Sequence, residues 1–125
     1  MVKSYEDLIV WQKSVVFAEE VYRLQRTLPK EERFGVGDQL RRAAISVPSN
    51  IAEGFGRESS KDFMHFLTVA RGSLYETRTQ LRIAVDLGLL KDISSVDILA
   101  VEVGRLLNAF ISRLRSSHQN HPANN

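Results

Sequence analysis

Apolar positions recur at helical spacing almost throughout this chain, and no segment alternates apolar and polar residues over the length of a strand. Leu8, Trp11, Val15, Ala18 and Tyr22 form one stripe, with Val10, Phe17, Val21, Leu24 and Leu28 in a second beside it. That arc is wider than the roughly 100° one bundle core uses, so the first helix predicts a further surface to cover it. Pro29 ends the helix by pushing the preceding residue out of the α region, and residues 29–37 read as a charged turn. A second helix is predicted from about Gly37 to Phe55, with Gly54 and Gly56 supplying permissive backbone for its end. The third opens with Ser59 and Asp62 in capping-box spacing, carries Phe63, Phe66, Leu67, Ala70, Leu74, Leu81 and Ala84, and stops at Gly88. The fourth begins near Ser94, with Asp97 three residues on, along Val96, Leu99, Val103, Leu106, Phe110 and Leu114.

Four helices with short connections predict an all-α fold, an antiparallel up-and-down four-helix bundle with a proline kink in helix 2. One domain is expected over residues 1–115. Residues 116–125, rich in Ser, His, Gln, Asn and Pro and without a stripe, read as a disordered C-terminal tail.

The second helix breaks a rule at Pro48, where proline costs about 3 kcal/mol in an ordinary helix interior. A plain kink lets the helix curve, with Ser46 or Ser49 hydroxyls satisfying freed backbone groups; the functional version re-aims Asn50 and Glu53 towards a subunit contact. An apolar stripe at Leu40, Ala44, Val47 and Ile51 lies opposite a polar one at Gln39, Arg42, Ser46, Asn50 and Glu53. Ser, Asn and Gln are mediocre helix formers that suggest hydrogen-bonding partners. Gln39, Ser46, Asn50, Glu53, Ser73 and Glu76, with Gln80, are therefore candidates for a polar seam or oligomer contact, the alternative being an ordinary wet face. A carboxylate buried there needs Arg42 or Arg71 to complete it.

Composition narrows the function classes. The 125 residues are 43% hydrophobic, enough for one core, and 17 basic against 15 acidic side chains leave a formal net charge of only +2. Bulk charge therefore says little about nucleic acid, although the chain carries no acid after Glu102. The absence of cysteine excludes disulfides and thiolate chemistry. The charged N-terminus does not read as a signal peptide, no apolar run approaches the ~20 residues that span a bilayer, and a cytoplasmic protein is expected.

Arg41, Arg42 and Arg57, with Arg78 and Arg82 on the third helix, are the candidate nucleic-acid-binding residues, because a guanidinium grips phosphate through two parallel hydrogen bonds. Their competing reading is as intrahelical ion pairs. Asp38 lies three and four residues before Arg41 and Arg42, Glu53 four before Arg57, and Asp86 four after Arg82. No catalytic residue, cofactor or metal ligand is assigned. A di-iron bundle needs Glu-x-x-His twice with two further glutamates, and only Asp62-Phe63-Met64-His65 comes near, once. His118 and His121 support at most an adventitious site, and Gly35-Val36-Gly37 lacks the third glycine of a dinucleotide fold.

Gln39 to Arg57, together with Asp7-Leu8-Ile9-Val10-Trp11-Gln12-Lys13, Tyr22-Arg23-Leu24, Leu28-Pro29 and Ala70-Arg71-Gly72-Ser73-Leu74-Tyr75-Glu76, resembles the four-helix-bundle family of 23S rRNA intervening sequence proteins over most of residues 5–115. The run Arg-Arg-Ala followed by Ser-Val-Pro-Ser-Asn-Ile-Ala-Glu-Gly is the most specific part. That family is similar in fold to the accessory variability determinant protein of diversity-generating retroelements. The resemblance implies a ring-like homopentamer and, in the retroelement relative, a basic surface that engages RNA and a reverse transcriptase.

The function expected is a non-enzymatic, homo-oligomeric helical bundle acting as an RNA-binding or protein-binding adaptor. Its partners would be further copies of itself, structured RNA or another protein, and no membrane. The alternatives are a purely structural interaction module without nucleic-acid binding and, from a different class, a cryptic bundle enzyme.

Overall fold

The structure, a computed structural model, describes residues 1–120, with side chains through Ser117. Its helices are α1 (Ile9–Gln25), α2 (Val36–Phe55), α3 (Ser60–Asp86) and α4 (Ser94–Asn120), with single 3-10 turns at Tyr5–Asp7 and Lys30–Glu32. α1 packs on α2 and α4, and α3 packs on the same two, so the four helices form a closed ring of neighbours around one core. Cross-helix bonds join residue 46 to 73 and 39 to 80, then 71 to 108 and 78 to 97, so α3 runs against both α2 and α4.

The stripe of α2 is buried as a unit: Leu40, Ala44, Val47 and Ile51 are each at most 1% exposed. They meet Phe17 and Val21 of α1, Leu67, Leu74 and Leu81 of α3, and Val103, Leu107 and Ile111 of α4 in one cluster. On α4 the line at the centre is Val96, Ala100, Val103, Leu107 and Ile111, whereas Leu99, Leu106, Phe110 and Leu114 are only half-buried.

Helix ends follow the local chemistry. Ser59 Oγ accepts the Asp62 amide at 3.1 Å. α3 closes with the Leu89 amide on the Ala84 carbonyl and the Gly88 amide on that of Val85, at 2.8 and 2.9 Å. Gly88 there has φ +74, a left-handed conformation that favours glycine. α4 starts at Ser94, where the sequence places it. Asp92 supplies the side chain at this start, accepting from the Ser94 amide at 2.9 Å and from its hydroxyl. These bonds hold the Asp92 carboxyl below its ordinary pKa of 3.8, the hydroxyl being the larger cause.

Two further expectations change. Gly54 and Gly56 do not supply left-handed backbone, since Gly88 alone among the described residues has positive φ. Gly54 is buried inside α2, where α3 crosses. Residues 116–120, expected in a disordered tail, are helical. No Gly or Pro intervenes before Pro122, and extending a formed helix is far easier than nucleating one. Residues 121–125 of that tail lie outside the described residues, as does the side chain of His118, and with them the His118 and His121 pairing.

Candidate functional site

Pro48 is buried within α2, and of the two roles the sequence offers the serine two residues before it, the structure gives it the contact between helices. Ser46 Oγ stands 2.8 Å from Ser73 Oγ on α3, so the hydroxyl joins two helices instead of patching backbone freed by the proline. Asn50 lies one turn on and donates through Nδ2 to both the hydroxyl and the carbonyl of Ser46, each at 2.8 Å. Ser73 also offers its carbonyl to Thr77 Oγ1 at 2.8 Å, and Thr77 is fully buried. The seam continues to Gln80, whose Nε2 donates to Gln39 Oε1 at 3.4 Å, while Gln80 Oε1 is buried with no hydrogen-bond partner among the described residues.

Neither carboxylate hydrogen-bonds within this seam, although Glu76 lines a shallow groove with Gln39, Arg42, Ser46 and Gln80. Glu53 is exposed and pairs with Arg57 at 2.9 Å, and Glu76 is exposed and makes no ion pair among the described residues. Neither expected guanidinium bonds to the seam: Arg42, beside it, pairs with Asp38 at 3.1 Å, and Arg71 donates to Asn108 at 2.9 Å. The physical reason is that an exposed carboxylate keeps its hydration, whereas burial would demand a full set of partners. The seam is thus a neutral Ser, Asn and Gln network between α2 and α3.

All five candidate arginines carry an acid. Arg41 and Arg42 share Asp38, Arg57 pairs with Glu53, Arg78 reaches across to Asp97 at 3.3 Å, and Arg82 holds Asp86 at 3.1 Å. The fold brings Arg78 and Arg82 together beside a cleft of about 450 Å³ that Asp97 also lines, but it does not gather the five into one surface. Arg57 additionally lies 4.7 Å over the Phe66 ring.

A different set of cations converges where α1 gives way to α2. Tyr22, Arg26, Lys30, Arg33, Phe34 and Arg41 line an open cleft of about 560 Å³ whose lining contains no acidic side chain. Buried Gln25 fixes its floor, donating to the Tyr22 carbonyl at 2.9 Å and accepting from Arg41 Nη1. Arg41 also donates to the Arg33 carbonyl at 3.2 Å. Arg26 sits 5.2 Å from the Tyr22 ring, and Phe34 is 87% exposed. The residues were visible as a charged turn; the missed signal was the aromatic pair interleaved with basic residues at Tyr22, Arg26, Lys30, Arg33 and Phe34.

Among the described residues no three His, Asp or Glu side chains are grouped to hold a metal ion, and no helix is long and apolar enough to cross a membrane. His65 is exposed, its ring edge-on to Phe66.

No curated protein matches the chain. A solved structure does: a protein of unknown function from the S23 ribosomal protein family of Bacteroides thetaiotaomicron VPI-5482. It is 25% identical, with a TM-score of 0.76, over 82% of this chain and 98% of that one. The family described as 23S rRNA-intervening sequence protein matches residues 6–109, across all four helices and the neutral seam. The chain belongs to the 23S rRNA-intervening sequence protein family.

Proposed function

We propose that this protein is a non-enzymatic, cytoplasmic helical bundle that assembles with copies of itself into a homopentameric ring and serves as an adaptor for RNA or for a protein partner. The observation that carries the assembly is aliphatic surface on two opposite pairs of helices. Ile9, Val16 and Ile98 are exposed on the neighbours α1 and α4, and Ile45, Val69 and Ile83 on the neighbours α2 and α3. A cyclic ring joins one patch of each subunit to a different patch of the next, so its subunit needs two such faces. The resemblance to the retroelement accessory protein supports the number five and an RNA partner.

Purely structural association without nucleic acid is the second reading, favoured by the carboxylates that neutralise Arg41, Arg42, Arg57, Arg78 and Arg82. Light scattering on the purified protein tests the assembly. The expected mass is five times that of the 14.2 kDa chain, and a monomer at micromolar concentration overturns the ring. Gel shift with ribosomal RNA fragments decides between the two readings, since phosphate contacts predict binding that weakens steeply with salt.

A further inference from the structure

We infer that the cleft between α1 and α2 binds unpaired RNA nucleotides, a base stacking on Phe34 and Tyr22 while Arg26, Lys30 and Arg33 hold the adjoining phosphates. The inference rests on the RNA-adaptor reading and places its contact away from all but one of the arginines the sequence nominates.

Four cations line this cleft, twice the formal net charge of the whole chain, and no carboxylate lines it with them. Only Arg41 of the four has an acidic partner, and its bonds to Gln25, the Arg33 carbonyl and Asp38 make it a wall of the site. Arg26, Lys30 and Arg33 form no ion pair among the described residues, so their charge is available to a polyanion. The volume of about 560 Å³ suits a ligand of nucleotide size.

The aromatic residues select the nucleic acid. Phe34 projects from the bundle at 87% exposure, and Tyr22 is 39% exposed with its ring already against a guanidinium. Exposed rings beside unpaired cations form a stacking platform with an electrostatic rim, the combination that binds single strands without reading sequence. A duplex keeps its bases stacked on one another and cannot offer them to Phe34. Acidic protein segments satisfy the cations but leave the rings without a flat partner.

Fluorescence anisotropy with labelled single-stranded oligoadenylate tests this on the full chain, with light scattering on the same samples. Wild type should bind the strand and lose it when complementary oligouridylate is annealed. Phe34→Ala, at a position the fold does not bury, should weaken binding about ten-fold or more. Lys30→Gln and Arg33→Gln should each reduce the salt slope by roughly 0.7. The inference is overturned by an absence of binding, by equal affinity for strand and duplex, or by an unchanged Phe34→Ala variant. Loss of binding in Arg78→Gln/Arg82→Gln as large as in Phe34→Ala also overturns it, as does polyglutamate that displaces the strand as well as unlabelled oligoadenylate does. Assembled protein that ignores RNA removes the cleft and leaves the ring, whereas monomer that binds through Phe34 removes the ring and leaves the cleft.

Discussion

Gly54 faces Phe66 so closely across the α2–α3 contact that a methyl group on its α carbon would stand 2.7 Å from the Phe66 Cβ. The same methyl would lie 2.9 Å from Phe63 Cδ1 and 3.3 Å from the Phe63 carbonyl. Two of these atoms belong to, or sit next to, the α3 backbone, so the helix itself must retreat. Gly54→Ala gains about 1 kcal/mol of helix propensity, but overpacking of this kind costs about 1 to 3 kcal/mol, and separating the helices also disturbs the Phe55, Phe63 and Phe110 ring contacts. A lower urea midpoint is expected. Gly72, exposed in α3 with nothing within 4 Å of such a methyl, is the control, and Gly72→Ala should raise stability by about 0.5 to 1 kcal/mol. Equal effects at the two positions would remove the close-approach account.

That contrast bears on what the sequence could reveal. The helices and the α2 stripe were legible because Leu40, Ala44, Val47 and Ile51 repeat at a spacing that only one helical face satisfies. Gly54 was misread as a helix end because a glycine selected for closeness and one selected for a left-handed turn are the same letter. The α4 stripe is right at Val96 and Val103 and lies to one side at Leu99 and Phe110, because hydrophobicity alone does not separate a half-buried large side chain from a buried small one such as Ala100. Ser46, Asn50 and Ser73 were found from their residue types, but Glu53 and Glu76 shared their stripe, and periodicity does not tell a bonded position from a hydrated one. The basic cleft depends on a turn that folds Arg33 and Phe34 back towards Tyr22, a geometry that no helical repeat encodes.

The Ser46–Ser73 bond should couple the two helices measurably. Ser46→Ala removes one of the two acceptors of Asn50 Nδ2, leaving the Ser46 carbonyl, together with the partner of Ser73 Oγ, and a loss of about 1 kcal/mol is expected. Ser73→Ala removes the same interhelical bond, so the double variant should lose less than the two singles together, by about 0.5 kcal/mol or more. Urea unfolding of the four proteins completes the cycle. Strict additivity would mean that the hydroxyls merely face one another.

Asp92 predicts an acid-sensitive helix start. Its carboxyl titrates below 3.8 because the Ser94 hydroxyl, and secondarily the Ser94 amide, stabilise the charged form. A depressed folded value means that this group contributes stability above its unfolded pKa and loses the contribution as pH falls through the folded one. Ser94→Ala removes the larger cause, so the Asp92 carboxyl should titrate closer to 3.8, while the amide bond keeps it somewhat below. Carboxyl-carbon chemical shifts followed through the acid range give the answer directly. An Asp92 curve that does not move upward in Ser94→Ala would assign the shift to something other than the hydroxyl.

Subunit mixing distinguishes a ring from back-to-back pairing. Ile98→Glu places a charge on the α1 and α4 side, at a residue 68% exposed, and Ile45→Glu does the same on the α2 and α3 side, at one 48% exposed. Neither change should unfold the bundle, because neither side chain belongs to its core. In a ring each interface uses one face of each kind, so either variant alone has lost a member of every interface and should become monomeric. Mixed, the intact α1 and α4 face of Ile45→Glu meets the intact α2 and α3 face of Ile98→Glu, and one heterodimer should form that cannot grow further. Isologous contacts behave otherwise: each variant alone would still dimerise through its undamaged face, and mixing would add nothing. Native mass spectrometry of the two variants, separate and combined, reads these outcomes as masses, and homodimers of either single variant would rule out head-to-tail closure.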